Sequence, residues 1–200
     1  RDMMLHASGK LSSKMFGPSV YPPQPESVTA IAYGNTKWNV SSGEDRYRRS
    51  LYTFSKRTAP FAAYTVFDGP TGENCVSKRN RSNTPLQALT LLNDEMYLEL
   101  ARGIAERCMS NNDLHVSKDA RTTQIFRRLM TRPPSEAESA LLMEFQATQQ
   151  KRLETGEIDA ELILAVGEVE NEESASLAER ASWVMVARVI MNLDEAITKQ

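Results

Sequence analysis

The chain has 200 residues, with 24 lysines and arginines against 26 aspartates and glutamates and a formal net charge of -2. Apolar residues make up 40% and charged residues 25%, which excludes collagen-like, disulfide-dense and strongly disordered chains. This length suffices for one hydrophobic core, and the near-neutral charge gives the chain no general attraction to nucleic acid or membranes.

The segment before residue 46 is predicted to be mostly irregular. Met3, Met4 and Ala7 have helical spacing, and Gly9 stands where a short helix would end. The three prolines between residues 22 and 25 exclude a helix and favour extended geometry. The tyrosines and the tryptophan of this segment favour an arm that lies along a surface over a disordered one.

Residues 46–83 have the most unusual composition, because eight basic residues and two acidic ones lie between Arg46 and Arg81. Weak alternation at residues 51–54 fits either a short strand or a helical turn, and Asp68-Gly69-Pro70 is a turn signal. Farther along, residues 153–179 carry nine acidic residues and no basic ones. This acidic stretch is predicted to be either a solvated loop or a partner of the basic segment.

From Thr84 onward, helical periodicity and capping signals predict about five helices. The predicted N-terminal caps are Thr84 with Pro85 behind it, Asp94, Asp119, Ser135 in a capping box, and Ser174 or Ser176. The predicted fold is therefore mainly α, a single domain over residues 1–200. Residues 1–83 form an irregular, partly extended wrapping arm with an arginine-rich loop, and residues 84–200 form the helical core.

The apolar periodicity also predicts which side chains pack together in that core. The predicted core residues are Leu89, Met96, Leu100, Ile104, Phe126, Leu141, Phe145, Val184 and Val189.

Cys75 and Cys108 are predicted to be free thiols, with Cys108 the more buried, because nothing in the pattern brings them together. No spacing of Cys and His is typical of a zinc site or of covalent c-type haem attachment, so no metal or cofactor is predicted in this chain. No apolar run approaches the ~18 residues of a membrane span.

Two chemical interpretations compete over the basic segment. Cys75 beside several cations would have a lowered pKa, but a nucleophilic cysteine needs a base, and neither histidine is near in sequence. Basic and aromatic residues interleave between Arg46 and Arg57, as in single-strand nucleic-acid binders, but no nucleic-acid-binding motif accompanies them. The pattern favours internal ion pairing and turn capping over both alternatives.

Four stretches of this region resemble one family closely. They are RRSLYTFSKRTAP at residues 48–60, FDGP at 67–70, ENC at 73–75 and RNRSNTPLQALTLLND at 79–94. They resemble the planctomycete PSD-one domain, a carboxy-terminal domain of unknown function. Residues 17–25, 181–183 and 192–195 are similar to other parts of it. Ser55 and Glu95 depart from the tryptophan and proline that family members commonly have.

The resemblance implies context more than chemistry. Such domains stand at the carboxy end of large exported bacterial proteins, which often carry a c-type cytochrome-like domain and sometimes carbohydrate-binding modules. The resemblance therefore implies an exported or periplasmic location, with other domains of the parent protein as partners and any haem in a separate domain. It supplies no catalytic residues for this chain.

The function expected from the sequence is a non-catalytic structural or interaction module of such a protein. One alternative is an enzyme domain that acts on carbohydrate or in haem-linked redox chemistry, and a weaker alternative is a binder of sulfated polysaccharide. No nucleic-acid partner is expected. The candidate functional residues are Arg57, Asp68, Glu73, Cys75, Arg79, Arg81, Asn83 and Asp94.

At least two of Arg57, Arg79 and Arg81 are predicted to bind carboxylates or backbone carbonyls within the chain, since a long loop needs side chains to satisfy its backbone. We expect Arg79→Ala to lower the free energy of unfolding by about 1–3 kcal/mol, because it strands buried partners. Chemical denaturation measures this loss. An unchanged melting temperature together with weaker binding to a sulfated glycan would instead favour the polyanion binder.

Overall fold

The computed structural model describes residues 1–25, 27–28, 37–56, 59–78, 80–110, 117–168 and 175–198. These residues form a mainly helical protein, which confirms the predicted fold class, and the only β-type pairings among them are two isolated bridges. The helices are α1 (Asp2–Ser8), α2 (Ala62–Val66), α3 (Pro85–Asn93), α4 (Glu95–Met109), α5 (Lys118–Met130), α6 (Glu136–Glu154), α7 (Ala160–Leu164), α8 (Leu177–Met191) and α9 (Asp194–Ile197).

The five helices predicted after Thr84 correspond to α3, α4, α5, α6 and α8, and α7 and α9 are short additions. The helix starts follow from side-chain capping. Thr84 and Gln87 form a reciprocal capping box at α3, and Ser135 and Glu138 form another at α6. Ser176 caps α8 by accepting from the amide of Glu179.

The predicted cap at Asp119 is wrong. Ser117 caps α5 by accepting from the amide of Ala120 at 3.2 Å, so Asp119 already lies in the first helical turn. There its carboxylate accepts a hydrogen bond from Ser139 at 2.6 Å and joins α5 to α6. An acid or a hydroxyl is favourable both at the cap position and in the first turn of a helix. Because α5 starts at Lys118, Ser117 is the cap and Asp119 lies in the first turn.

The core is built around α4 and α8. α4 packs against α1, α3, α5 and α8, and α8 packs in addition against α6 and α7. Leu100 and Ile104 on α4, Phe126 on α5, and Trp183 and Val184 on α8 are buried in one cluster. The predicted burial of Met96, Leu100, Ile104, Phe126 and Val184 is therefore confirmed.

Two predicted core residues are exposed. Leu89 on α3 is 57% exposed because Gln87 and Leu91 form the inner face of that helix. Leu141 on α6 is 66% exposed, while its neighbour Leu142 is buried. Phe145 and Val189 are half-buried at the edge of the core.

The buried face of α6 explains why apolar periodicity failed there. It carries Ser139, Gln146 and Gln149 beside two leucines. The Gln146 amide donates to the hydroxyl of Ser182 on α8 at 2.9 Å and accepts from the amine of Lys118 at 3.2 Å. Ser139 and Gln146 are paired across helices and Gln149 is paired with Arg152 of the same helix, so the face can be buried without being apolar.

The described part of the arm lies along the helical core. Its two parallel bridges join Ser12 to Arg48 and Val20 to Thr53, next to two short 3-10 helices at Gly43–Tyr47 and Ser50–Tyr52. Trp38 stacks on the buried ring of Phe61 at 5.8 Å and donates its indole N–H to the carbonyl of Pro22. The aromatic residues thus hold this arm to the surface, as the sequence predicts, although Tyr33 lies outside the described residues.

Among the described residues, the ion pairs of the acidic stretch are made with arginines outside the basic segment. Glu157 pairs with Arg152, and Glu179 pairs with Arg121 at 2.6 Å. Residues 169–174 of this stretch lie outside the described part of the chain. Within the described ranges, no helix is both long and apolar enough to cross a membrane. The organisation as a single domain stays a prediction.

Leu100→Ala should lower the free energy of unfolding by about 2–5 kcal/mol, because it leaves a cavity at a fully buried position of α4. Leu141→Ala makes the same chemical change at an exposed position and should cost less than about 0.5 kcal/mol. Urea denaturation of both variants measures the difference. Equal losses would contradict the assignment of the two helix faces.

Candidate functional site

A cavity of about 390 Å³ opens between α1, α2, the start of α3 and α9. This volume lies within the range of small-molecule sites, about 300–1,000 Å³. Its wall includes the Asp68-Gly69 turn and residues 80–82, which belong to the segment singled out in the sequence. The other wall residues come from α1, α2, α3, α4 and α9, from Arg1, Phe67 and Thr198 at the ends of these helices, and from Ser50.

The turn at Asp68 gives the cavity one fixed edge. Asp68 has a φ of 55°, in the left-handed region that non-glycine residues rarely adopt. Its carboxylate accepts hydrogen bonds from the amide and the hydroxyl of Ser82 at 2.9 and 2.7 Å. A Cβ atom at Gly69 would lie 2.8 Å from the carbonyl oxygen of Tyr64, so this turn requires glycine.

The opposite edge joins α1 to the arm. The carboxylate of Asp2 accepts from the amide and the hydroxyl of Ser50 at 2.8 and 2.6 Å, and the hydroxyl of Tyr64 donates to the carbonyl of Ser50. The Arg1 guanidinium donates to the carbonyls of Arg48 and Arg46, and its burial lowers its pKa. The polar groups of this edge are therefore engaged within the protein.

The inner wall of the cavity is aromatic. Tyr97 is 1% exposed, lies against Phe67 at 5.6 Å between ring centroids and faces the cavity. The Tyr97 hydroxyl has no hydrogen-bond partner among the described residues. Burial raises the pKa of this phenol well above its usual range.

A second polar cluster lies apart from the cavity and centres on Glu99 of α4. Glu99 is 2% exposed and accepts from the Arg46 Nε at 3.0 Å, from the Tyr47 hydroxyl at 2.5 Å and from the Glu168 amide at 3.1 Å. Gly167, at a φ of 84°, packs so closely on this carboxylate that any side chain there would clash.

The protonation states of this cluster follow from its contacts. Burial opposes the charge of Arg46, but its hydrogen bonds to Glu99 and Glu95 outweigh burial and raise its pKa. Burial, and then the bond to Glu99, raise the pKa of Tyr47 far above its usual range. The cluster is thus a paired guanidinium and carboxylate with a neutral phenol, which suits a structural role.

Arg48 is fully buried and binds backbone carbonyls instead of a carboxylate. It donates to the carbonyls of Pro18 at 3.0 Å and of Phe16, and its guanidinium lies 3.8 Å from the ring centroid of Tyr52. The planar fork of arginine can reach several acceptors at once, so one side chain fixes the turn around Gly17.

The structure places the predicted site residues in different surroundings. Asp68 and Arg81 line the cavity. Asn83 donates its amide to Asp194 at 2.6 Å, and Asp94 caps α4 by accepting from the amide of Met96. Glu73 and Cys75 are exposed and lie apart from the cavity wall. Arg57 and Arg79 lie outside the described residues.

The thiols agree with the prediction, because both cysteines are free, Cys75 is exposed and Cys108 is buried. Burial raises the pKa of Cys108, which makes that thiol a poor nucleophile. Within the described ranges, no cluster of three or more His, Cys, Asp and Glu side chains could hold a metal ion.

The sequence did not point to the main residues of the cavity wall and of the second polar cluster, above all Tyr97 and Glu99. Glu99 had a usable signal, since it stands three residues after Met96 on the apolar stripe of α4, and a charge on a core stripe implies a buried partner. Tyr97 had no such signal, because a tyrosine beside an apolar stripe is usually part of the core.

The architecture is that of a mainly α chain in which an arginine-rich arm is fixed to a helical core beside a cavity. The sequence pattern of the PSD1 family, proteins of unknown function (DUF1553), matches residues 1–146, and the chain belongs to that family. The similarities at residues 181–183 and 192–195 lie beyond the matched range. No curated protein and no solved structure matches the chain.

Glu99→Gln should lower the free energy of unfolding by about 3–5 kcal/mol, because it leaves the buried Arg46 guanidinium without its main counter-charge. Glu95→Gln removes the other, 61% exposed partner of the same arginine and should cost about 1 kcal/mol or less. Thermal and urea unfolding measure both losses. Similar small losses would show that the Glu99 cluster does not stabilise the fold.

Proposed function

We propose that this chain is a non-catalytic structural or interaction module of a larger exported bacterial protein. Its partners are the other domains of that protein, and any haem is carried by a separate domain. The family resemblance supports this context.

The observation that carries the proposal is the internal use of the arginines in the basic segment. Arg46 and Arg48 are both buried: Arg46 binds Glu99 and so joins the arm to the core, and Arg48 binds backbone carbonyls within the arm. A catalytic or binding arginine must reach a substrate. These two side chains instead supply hydrogen bonds to backbone that has no regular secondary structure.

The same burial weighs against the sulfated-polysaccharide binder. That interpretation relied on a run of accessible cations, and two of them, Arg46 and Arg48, are removed from the surface. Arg49 remains exposed. Surface cations separated by buried ones make a weaker attraction for a polyanion than a continuous basic strip does.

Arg48→Lys tests this proposal, with Arg49→Lys as the matched control at the next residue. Lysine keeps the charge but loses the fork that binds several carbonyls, so Arg48→Lys should lower the free energy of unfolding by about 1–3 kcal/mol. The exposed Arg49→Lys should change it by less than about 0.5 kcal/mol. Neither variant should change the affinity for heparin, used as a sulfated-glycan probe.

The opposite pattern would overturn the proposal. In that pattern, neither variant changes the free energy of unfolding. The unaltered chain binds heparin, and either substitution weakens this binding. Turnover of a glycoside substrate by the unaltered chain, lost on substitution of Asp68 or Arg81 at the cavity, would favour the enzyme alternative.

A further inference from the structure

The cavity between α1, α2 and α9 takes no part in the structural role of the arginines. It has a ligand-sized volume, about 390 Å³, and its wall is mostly apolar. Met4, Leu91 and Ala196 are buried parts of this wall, and the rings of Tyr64, Phe67 and Tyr97 line it. A wall of this composition favours a ligand with an apolar, preferably aromatic body.

The charged groups at the cavity are already paired. The Asp2 carboxylate is occupied by Ser50 and by Arg1, and the Asp68 carboxylate by Ser82. The Arg1 guanidinium donates to backbone carbonyls. A charged ligand would have to displace these partners. The site therefore suits an uncharged molecule.

Several polar side chains of the wall, such as Ser82, Gln87 and Thr198, already bind other groups of the protein. The hydroxyl of Tyr97 has no hydrogen-bond partner among the described residues, while the Tyr64 hydroxyl of the same wall already donates to Ser50. A ligand hydroxyl can therefore form a hydrogen bond with the Tyr97 hydroxyl inside the cavity. A polyhydroxylated ring would bring many more polar groups than this wall can satisfy.

We propose that the cavity is a binding site for a small, uncharged, hydroxylated aromatic compound of the phenol class, whose hydroxyl pairs with that of Tyr97. The aromatic body lies against the rings of Tyr64 and Phe67, and entry is from the exposed side at Asn80. This site adds a ligand to the module and is independent of the structural role of Arg46 and Arg48.

Titration with 2-naphthol tests the site, with naphthalene and glucose as comparison ligands and isothermal calorimetry or intrinsic fluorescence as the readout. We expect saturable binding of 2-naphthol at one site. Naphthalene, which lacks the hydroxyl, should bind roughly tenfold more weakly, the size of one hydrogen bond. Glucose should not compete. Glucose binding above 2-naphthol binding, or no saturable 2-naphthol binding, would overturn the proposal.

Tyr97→Phe and Tyr64→Phe form a matched pair of variants, because each removes one hydroxyl from a ring of the same wall. Tyr97→Phe should weaken 2-naphthol about tenfold and leave the melting temperature unchanged or raised, since the lost hydroxyl has no partner. Tyr64→Phe should lower the melting temperature and leave the affinity unchanged. Equal affinities for 2-naphthol in all three proteins would show that Tyr97 does not contact the ligand.

Discussion

The carboxylate of Glu99 is the group on which the rest of the structure depends. It stands in the middle of α4, the central helix of the core, and is almost completely buried. Such a charge is costly unless it is paired, and its partners, Arg46 and Tyr47, come from the irregular arm. The helical core therefore requires the arm, and the arm gains a fixed register along α4.

That register has consequences for the neighbouring segments. Arg48, two residues after Arg46, is placed where it can bind the turn around Gly17, and Ser50 is placed where Asp2 of α1 can bind it. The Asp68 turn and Ser82 then close the other side. The cavity lies between these two groups of hydrogen bonds. Its edges are therefore positioned by hydrogen bonds and not by side-chain packing alone.

This arrangement separates two uses of the family motif. Its buried arginine, Arg48, holds backbone segments of the arm together. Phe67, Asp68, Gly69 and Ser82 instead form the wall of a ligand-sized space. A strained, non-glycine residue such as Asp68 is maintained only where the surroundings determine it, and such residues are frequent at functional sites.

Local chemistry in the sequence determined the helices, because capping boxes at Thr84 and Ser135 and the stripe from Met96 to Cys108 act within a few residues. It also indicated Asp68 as a turn residue and an internal role for basic residues such as Arg46 and Arg48, whereas the internal pairing of Arg57, Arg79 and Arg81 stays a prediction. Only the tertiary structure decided that Leu89 is exposed, that α6 buries glutamines, and that Glu99 and Tyr97 are the central polar residues. These outcomes depend on which element covers each face, and periodicity within one helix carries no information about the partner that another segment brings to it.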